Sequence, residues 1–186
     1  MYRGFDIGTD KVPFEERRGI RHHLIDVVEP TGHYTAAAYV RDAVAAIESI
    51  YARDRWPILV GGTGLYYRAL TRGLFPGPGA DANLRRRLEE VAMRRGVDCL
   101  HRMLDRVDPE SAKRILPRDR KRMVRALEVY FLTGKPLTEH FASTVSPLAA
   151  HRVVAVALSP PVGWIAERVR ARVDAQFERG LMDEVR

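Results

Sequence analysis

Apolar positions along the chain switch between two periods. From Thr35 to Asp54, Tyr39, Val40, Ala43, Val44, Ile47 and Tyr51 recur every three or four residues, which predicts an amphipathic helix. His22 to Val28 is short and mostly β-branched or large apolar, and it closes on Glu29-Pro30 and Gly32, so it predicts a strand. Pro57 to Val60 is a compact apolar run that ends in Gly61-Gly62-Thr63-Gly64, and a helical pattern follows from Leu65 to about Thr71. Strand, helix, strand, glycine turn and helix is a βαβα order, which implies a parallel sheet covered on both faces.

The pattern changes after Pro76-Gly77-Pro78-Gly79. Helical periods then run from Asp81 to about Phe141, as Asn83 to Arg94, Val97 to Arg106, Pro109 to Ile115 and Arg120 to Thr133. Asp108 before Pro109, and Asp119 before Arg120, are capping carboxylates. The run Val153 to Leu158 is apolar at every residue, as a strand buried on both faces should be. A long helix follows with Ile165, Val169, Val173 and Phe177 at four-residue steps, and Gly180 is its stop. The expected division is 1–74 in an α/β core, 75–150 as a helical insertion, and 151–186 as a return to that core.

Composition narrows the class. The 186 residues are 46% apolar and 30% charged, a globular balance. With Cys99 as the single cysteine, no disulfide scaffold is possible. The longest aliphatic run is far too short to cross a bilayer, and a cytoplasmic monomer without a membrane partner is expected.

The net charge of +7 is local. Between Lys113 and Arg125 stand seven basic residues against the single Asp119, so six of the seven excess charges fall in that segment. At the helical period, Arg118, Lys121, Arg122 and Arg125 share one arc, opposite Val124, Leu127 and Phe131. A cationic face at the first turns of a helix suits phosphate contacts, although a solvated charge face is its plain alternative. Arg85, Arg86 and Arg87 open another helix, but Glu89 and Glu90 follow and account for most of that run by pairing. Thr63 at the double-glycine turn is a simple cap or part of a ligand site, since glycines let a backbone approach a ligand closely. His22 and His23 have no third ligand at a metal spacing, so no metal-ligating residue is assigned, and Cys99 reads as a small core residue. No Gly-x-x-x-x-Gly-Lys-Ser/Thr occurs, and Gly134-Lys135-Pro136 follows a helix and lacks the hydroxyl residue.

Four blocks carry a specific resemblance. Tyr2-Arg3-Gly4-Phe5-Asp6-Ile7-Gly8-Thr9-Asp10-Lys11, His22-His23-Leu24-Ile25-Asp26, Ile58 through Tyr66, and Arg122-Met123-Val124-Arg125-Ala126-Leu127-Glu128-Val129-Tyr130 resemble, in order, signature blocks of bacterial tRNA dimethylallyltransferases. Thr133 to Leu137 and Gly180 to Val185 add to the match. The resemblance implies a P-loop-NTPase-like parallel sheet core with an inserted helical domain. It also implies transfer of a dimethylallyl group from dimethylallyl diphosphate to N6 of the adenosine just 3′ of the anticodon, with Mg²⁺ as cofactor and the tRNA anticodon stem-loop as partner.

Carried over residue by residue, the resemblance implies tRNA contacts at Thr63, Arg85, Lys121, Arg122, Met123, Val124 and Arg125, with Gly61, Gly62 and Gly64 lining the substrate channel. Arg172 is a candidate diphosphate contact. The family's P-loop, which holds the diphosphate and Mg²⁺, and its general-base Asp would precede Tyr2, so no catalytic residue is assigned. The chain reads as a fragment expected to be inactive by itself. The alternative is a non-catalytic RNA-binding remnant; prenylation of free adenine nucleotides fits so long a helical insertion poorly. A truncated α/β core should also expose an apolar sheet edge, and so aggregate.

Overall fold

Capping side chains settle where four of the helices begin. The computed structural model describes all 186 residues and divides into two units, one of residues 1–71 and 147–186 and one of residues 72–146. The sequence pattern places these divisions at 75 and 150.

In the first unit, α1 (Ala36–Tyr51) starts where Thr35 Oγ1 accepts the Ala38 N–H, and α2 (Gly64–Arg72) follows the glycine turn. The small core of this unit gathers Tyr39, Ala43, Leu70 and Leu148, and the Tyr66 ring stacks on Tyr39 at 4.5 Å.

In the second unit, α3 (Ala82–Arg95) is capped by Asp81, and Gly96, at φ 80°, turns the chain into α4 (Val97–Val107). A side chain would strain at that positive φ. Asp108 caps α5 (Pro109–Arg114), and Asp119 caps α6 (Arg120–Thr133). Helix α7 (Leu137–Ala142) completes the unit. Leu88 and Ala92, Leu100 and Leu104, and Met123 and Leu127 each stand four residues apart, so each helix turns one stripe to a shared core. Leu100, Leu104, Met123 and Leu127 are fully buried. Each contributes roughly 1.5–3 kcal/mol by leaving water.

The first unit closes with α8 (Val162–Glu178) and α9 (Leu181–Glu184). The Glu184 carboxylate accepts the backbone N–H groups of Asp6, Ile7 and Gly8 at 2.6–2.8 Å, and Gln176 Nε2 donates to the Ile7 carbonyl at 3.0 Å. Those bonds seat the first ten residues against the last two helices. A Cβ on Gly8 would come within 3.1 Å of Leu181 Cδ1 and 3.3 Å of Glu184 Oε1, so a larger residue there would push both side chains back by a few tenths of an ångström.

The expected parallel sheet does not form within these residues. Val28 makes a lone parallel bridge with Tyr2, and no ladder extends from it. Leu24 and Asp26 take positive φ values of 60° and 54°, which break the run His22 to Val28 as a strand. Pro57 to Val60 and Val153 to Leu158 stay unpaired, and Val60 and Leu158 are 87% and 91% exposed. An apolar run records how well a segment would bury; a strand also needs a neighbour to take its backbone hydrogen bonds. Helix α8 forms over the expected span, but Ile165, Val169, Val173 and Phe177 are all exposed. Phe131, expected on the inner side of α6, is exposed as well.

Candidate nucleic-acid interface

The cationic segment is built on the start of α6. Asp119 Oδ1 accepts the Arg122 N–H at 3.2 Å, and the carboxylate faces the Arg122 guanidinium at 3.4 Å. The helix therefore begins at Arg120, two residues after Arg118, with Arg118, Lys121 and Arg122 exposed around its start. Arg120 leaves this group and pairs with Glu89 of α3 at 3.0 Å. Met123 and Val124 point the other way, into the core. Their side chains lie off the exposed face of the helix, so any contact of theirs with RNA would fall to the backbone. They hold the helix so that its charged residues face water.

Arg85 and Arg125 come together through a residue to which the sequence reading gave no role. Glu128 has no exposed surface. Its Oε1 accepts from Arg85 Nε at 2.8 Å and from the Asp81 backbone N–H at 2.8 Å. Its Oε2 accepts from Arg85 Nη2 at 2.9 Å and Arg125 Nη1 at 2.6 Å. Arg125 Nη2 also donates to the Pro78 carbonyl at 3.0 Å. Burial alone would push the Glu128 carboxyl up, but the donors on it outweigh burial and hold it below the ordinary glutamate value. The same contact raises Arg85 further above its usual range. The available signal was a single acid in the otherwise apolar stretch Ala126 to Val129, since a carboxylate at a core position needs partners.

Thr63 and its glycines belong to the first unit. Thr63 is exposed, and its carbonyl accepts the Tyr67 N–H at 3.1 Å, which makes it the residue heading α2. A Cβ added to Gly61, Gly62 or Gly64 would meet nothing within 4 Å. Packing within the unit therefore does not demand glycine at these positions. Arg172 of α8 faces Asp10 at 3.3 Å, and Arg179 donates to the other oxygen of Asp10 at 2.8 Å. No three His, Cys, Asp or Glu side chains gather around one point. No helix is long and apolar enough to cross a membrane.

Comparison with known proteins places this architecture. The IPP transferase family model matches residues 1–186. The tRNA dimethylallyltransferase of Halorhodospira halophila is 47% identical over 186 residues, covering all of this chain and 60% of the relative. That of Solibacter usitatus is 48% identical with the same coverage. Among solved structures, the full-length tRNA isopentenylpyrophosphate transferase of Bacillus halodurans is 38% identical with a TM-score of 0.60, over 98% of this chain and 56% of that one. A eukaryotic dimethylallyltransferase acting on tRNA is 29% identical with a TM-score of 0.70, over 96% and 44%. The chain spans about 60% of the length of the curated relatives it matches. With identity near one half from end to end, the chain belongs to the IPP transferase family.

Proposed function

We propose that these residues form the RNA-holding share of an enzyme that moves a dimethylallyl group from dimethylallyl diphosphate to N6 of the adenosine just 3′ of the tRNA anticodon. The observation that carries this reading is the run of relatives named tRNA dimethylallyltransferase, matched over the whole chain, together with the cationic start of α6.

The chemistry divides accordingly. The N6 lone pair attacks the allylic carbon, the carbon–oxygen bond to diphosphate breaks, and the N6 proton passes to a base. An allylic diphosphate is already a good electrophile, so positioning supplies much of the rate. The adenosine must also leave its stack, at a cost of a few kcal/mol, and phosphate contacts offset that cost. Arg118, Lys121 and Arg122 supply exposed charge for those contacts, while Arg85 and Arg125 supply guanidinium groups held by Glu128. Thr63 heads α2 beside glycines that leave open space, as the wall of a substrate channel would. Arg172 serves the diphosphate only in competition with Asp10. No base is assigned, and no step is routed through Mg²⁺. The P-loop-type sheet core and the cytoplasmic setting belong to the same proposal.

Binding of an anticodon stem-loop by the purified chain tests the reading. A dissociation constant that rises steeply with salt is expected; no salt-dependent affinity would reject it. A second reading, RNA binding without transfer, is favoured by the exposed cationic start of α6, which needs no transfer chemistry. Mass spectrometry of nucleosides after incubation with tRNA and dimethylallyl diphosphate separates the two.

A further inference from the structure

Glu128 is a buried anion shared by two partly exposed cations, each with one guanidinium edge not used in binding it. Arg85 spends its Nε and Nη2 on Glu128, so its Nη1 edge remains, and its side chain is 42% exposed. Arg125 spends Nη1 on Glu128 and Nη2 on the Pro78 carbonyl, which leaves the Nε side, and it is 35% exposed. The third donor to Glu128 is the backbone of Asp81, the residue whose side chain caps α3 and whose carbonyl takes the Arg85 N–H at 3.0 Å. One carboxylate thus ties the start of α3, and two arginines from different helices, into one rigid group.

We propose that Glu128 is a positioning residue that fixes Arg85 and Arg125 at one mutual spacing, so that their outward edges meet neighbouring backbone phosphates of the bound RNA together. The proposal rests on the RNA-binding reading of those two arginines given above. A buried ion cluster is a weak source of stability, because desolvation consumes most of its attraction. Geometry is what it supplies: an arginine held by one edge has already lost its rotamer freedom before RNA arrives, so less is lost on binding. With two positive charges against one negative, the group keeps a net charge of plus one for a polyanion.

The sign of one substitution separates positioning from simple charge. Glu128→Gln keeps the side chain's shape and removes a negative charge. On charge alone it should tighten RNA binding and steepen the salt dependence. Positioning requires the reverse, a loss of roughly tenfold in affinity and a salt slope reduced by about one. Binding of an anticodon stem-loop to the full 186-residue chain is measured across ionic strengths, beside a thermal melt of each variant. Glu128→Asp keeps the charge but shortens the reach, and a smaller loss of about threefold is expected; it decides the question if the glutamine variant does not melt cooperatively. In a chain already carrying Arg85→Lys and Arg125→Lys, Glu128→Gln should add nothing further.

A cooperatively folded Glu128 variant that binds as tightly as the parent, or more tightly, overturns the positioning role and leaves the RNA-binding reading standing. A parent chain with no salt-dependent affinity overturns both.

Discussion

Asp108 and Thr138, thirty positions apart, are joined twice: the Thr138 hydroxyl donates to Asp108 Oδ1 at 2.7 Å, and its backbone N–H donates to Oδ2 at 3.1 Å. The same carboxylate accepts the Ser111 N–H at 3.0 Å and the Ser111 hydroxyl at 2.7 Å. A residue that caps α5 therefore also holds the first turn of α7. Burial would raise its carboxyl, but the four donors outweigh burial and leave it below the ordinary aspartate value.

Replacing Asp108 with alanine removes the cap and leaves the hydroxyl and amide groups of buried Ser111 and half-buried Thr138 without an acceptor. A loss of about 2–4 kcal/mol is expected, from a cap worth near 1 kcal/mol and stranded donors that cost 1–3. Urea unfolding of the Asp108→Ala chain checks it, with Asp108→Asn expected to lose less.

Acid should weaken the second unit. Asp108 and Glu128 both have folded pKa values below their unfolded ones, so the unfolded chain binds more protons as pH falls. Their stabilisation is complete above the unfolded carboxyl values, near 4, and is lost as pH drops through the lower folded values. The melting temperature should be flat from about pH 7 to 5 and fall steeply below about 4. Glu128→Gln should show a shallower fall.

Neutralising exposed cations should change salt dependence in proportion to their number. Lys121→Gln and Arg122→Gln are each expected to reduce the slope of log affinity against log salt by nearly one, with little change in melting temperature. Arg120→Gln should affect the slope less, because Glu89 holds the half-exposed Arg120 at 3.0 Å, whereas Asp119 meets the more exposed Arg122 only at 3.4 Å. Fluorescence titration of a labelled stem-loop at several salt concentrations reads all three.

The two kinds of glycine in the first unit should behave oppositely. Gly62→Ala meets open space and is expected to change stability by no more than about 0.5 kcal/mol, so any loss of RNA binding or transfer would reflect the ligand path. Gly8→Ala would crowd Leu181 and disturb the seat of Glu184, and should lower the melting temperature measurably.

Exposed apolar surface should make the 186-residue chain associate. Val60, Val154, Val156 and Leu158 are each about four-fifths exposed or more, and the outer stripe of α8 adds to them. Sedimentation velocity is expected to show concentration-dependent association, and Val156→Lys with Leu158→Lys should reduce it. A monodisperse chain at high concentration would refute the expectation.

Local signals were legible wherever one short stretch of chain decides the outcome. Asp108 and Asp119 are short acids at helix starts, and each caps the helix that follows because the interaction spans three residues; Asp81, not read as a cap from the sequence, does the same for α3. The stripes Leu88–Ala92 and Leu100–Leu104 likewise follow from the helical period alone. The cationic bias of 113–125 needs only counting, and the ordered family blocks need only reading.

Partnership between distant segments was decided by tertiary structure. The apolar runs at 57–60 and 153–158 state a demand for burial, but a strand exists only when another backbone accepts and donates its hydrogen bonds, and none does so within these residues. Met123 and Val124 belong to a signature run, yet the packing of α6 against α3 and α4 turns them inward and leaves Lys121 and Arg122 outside. Glu128 shows the difference most plainly. Its sequence neighbours announce a core position, but only the approach of α3 brings Arg85 and the Asp81 amide to a carboxylate that could not otherwise stay charged out of water.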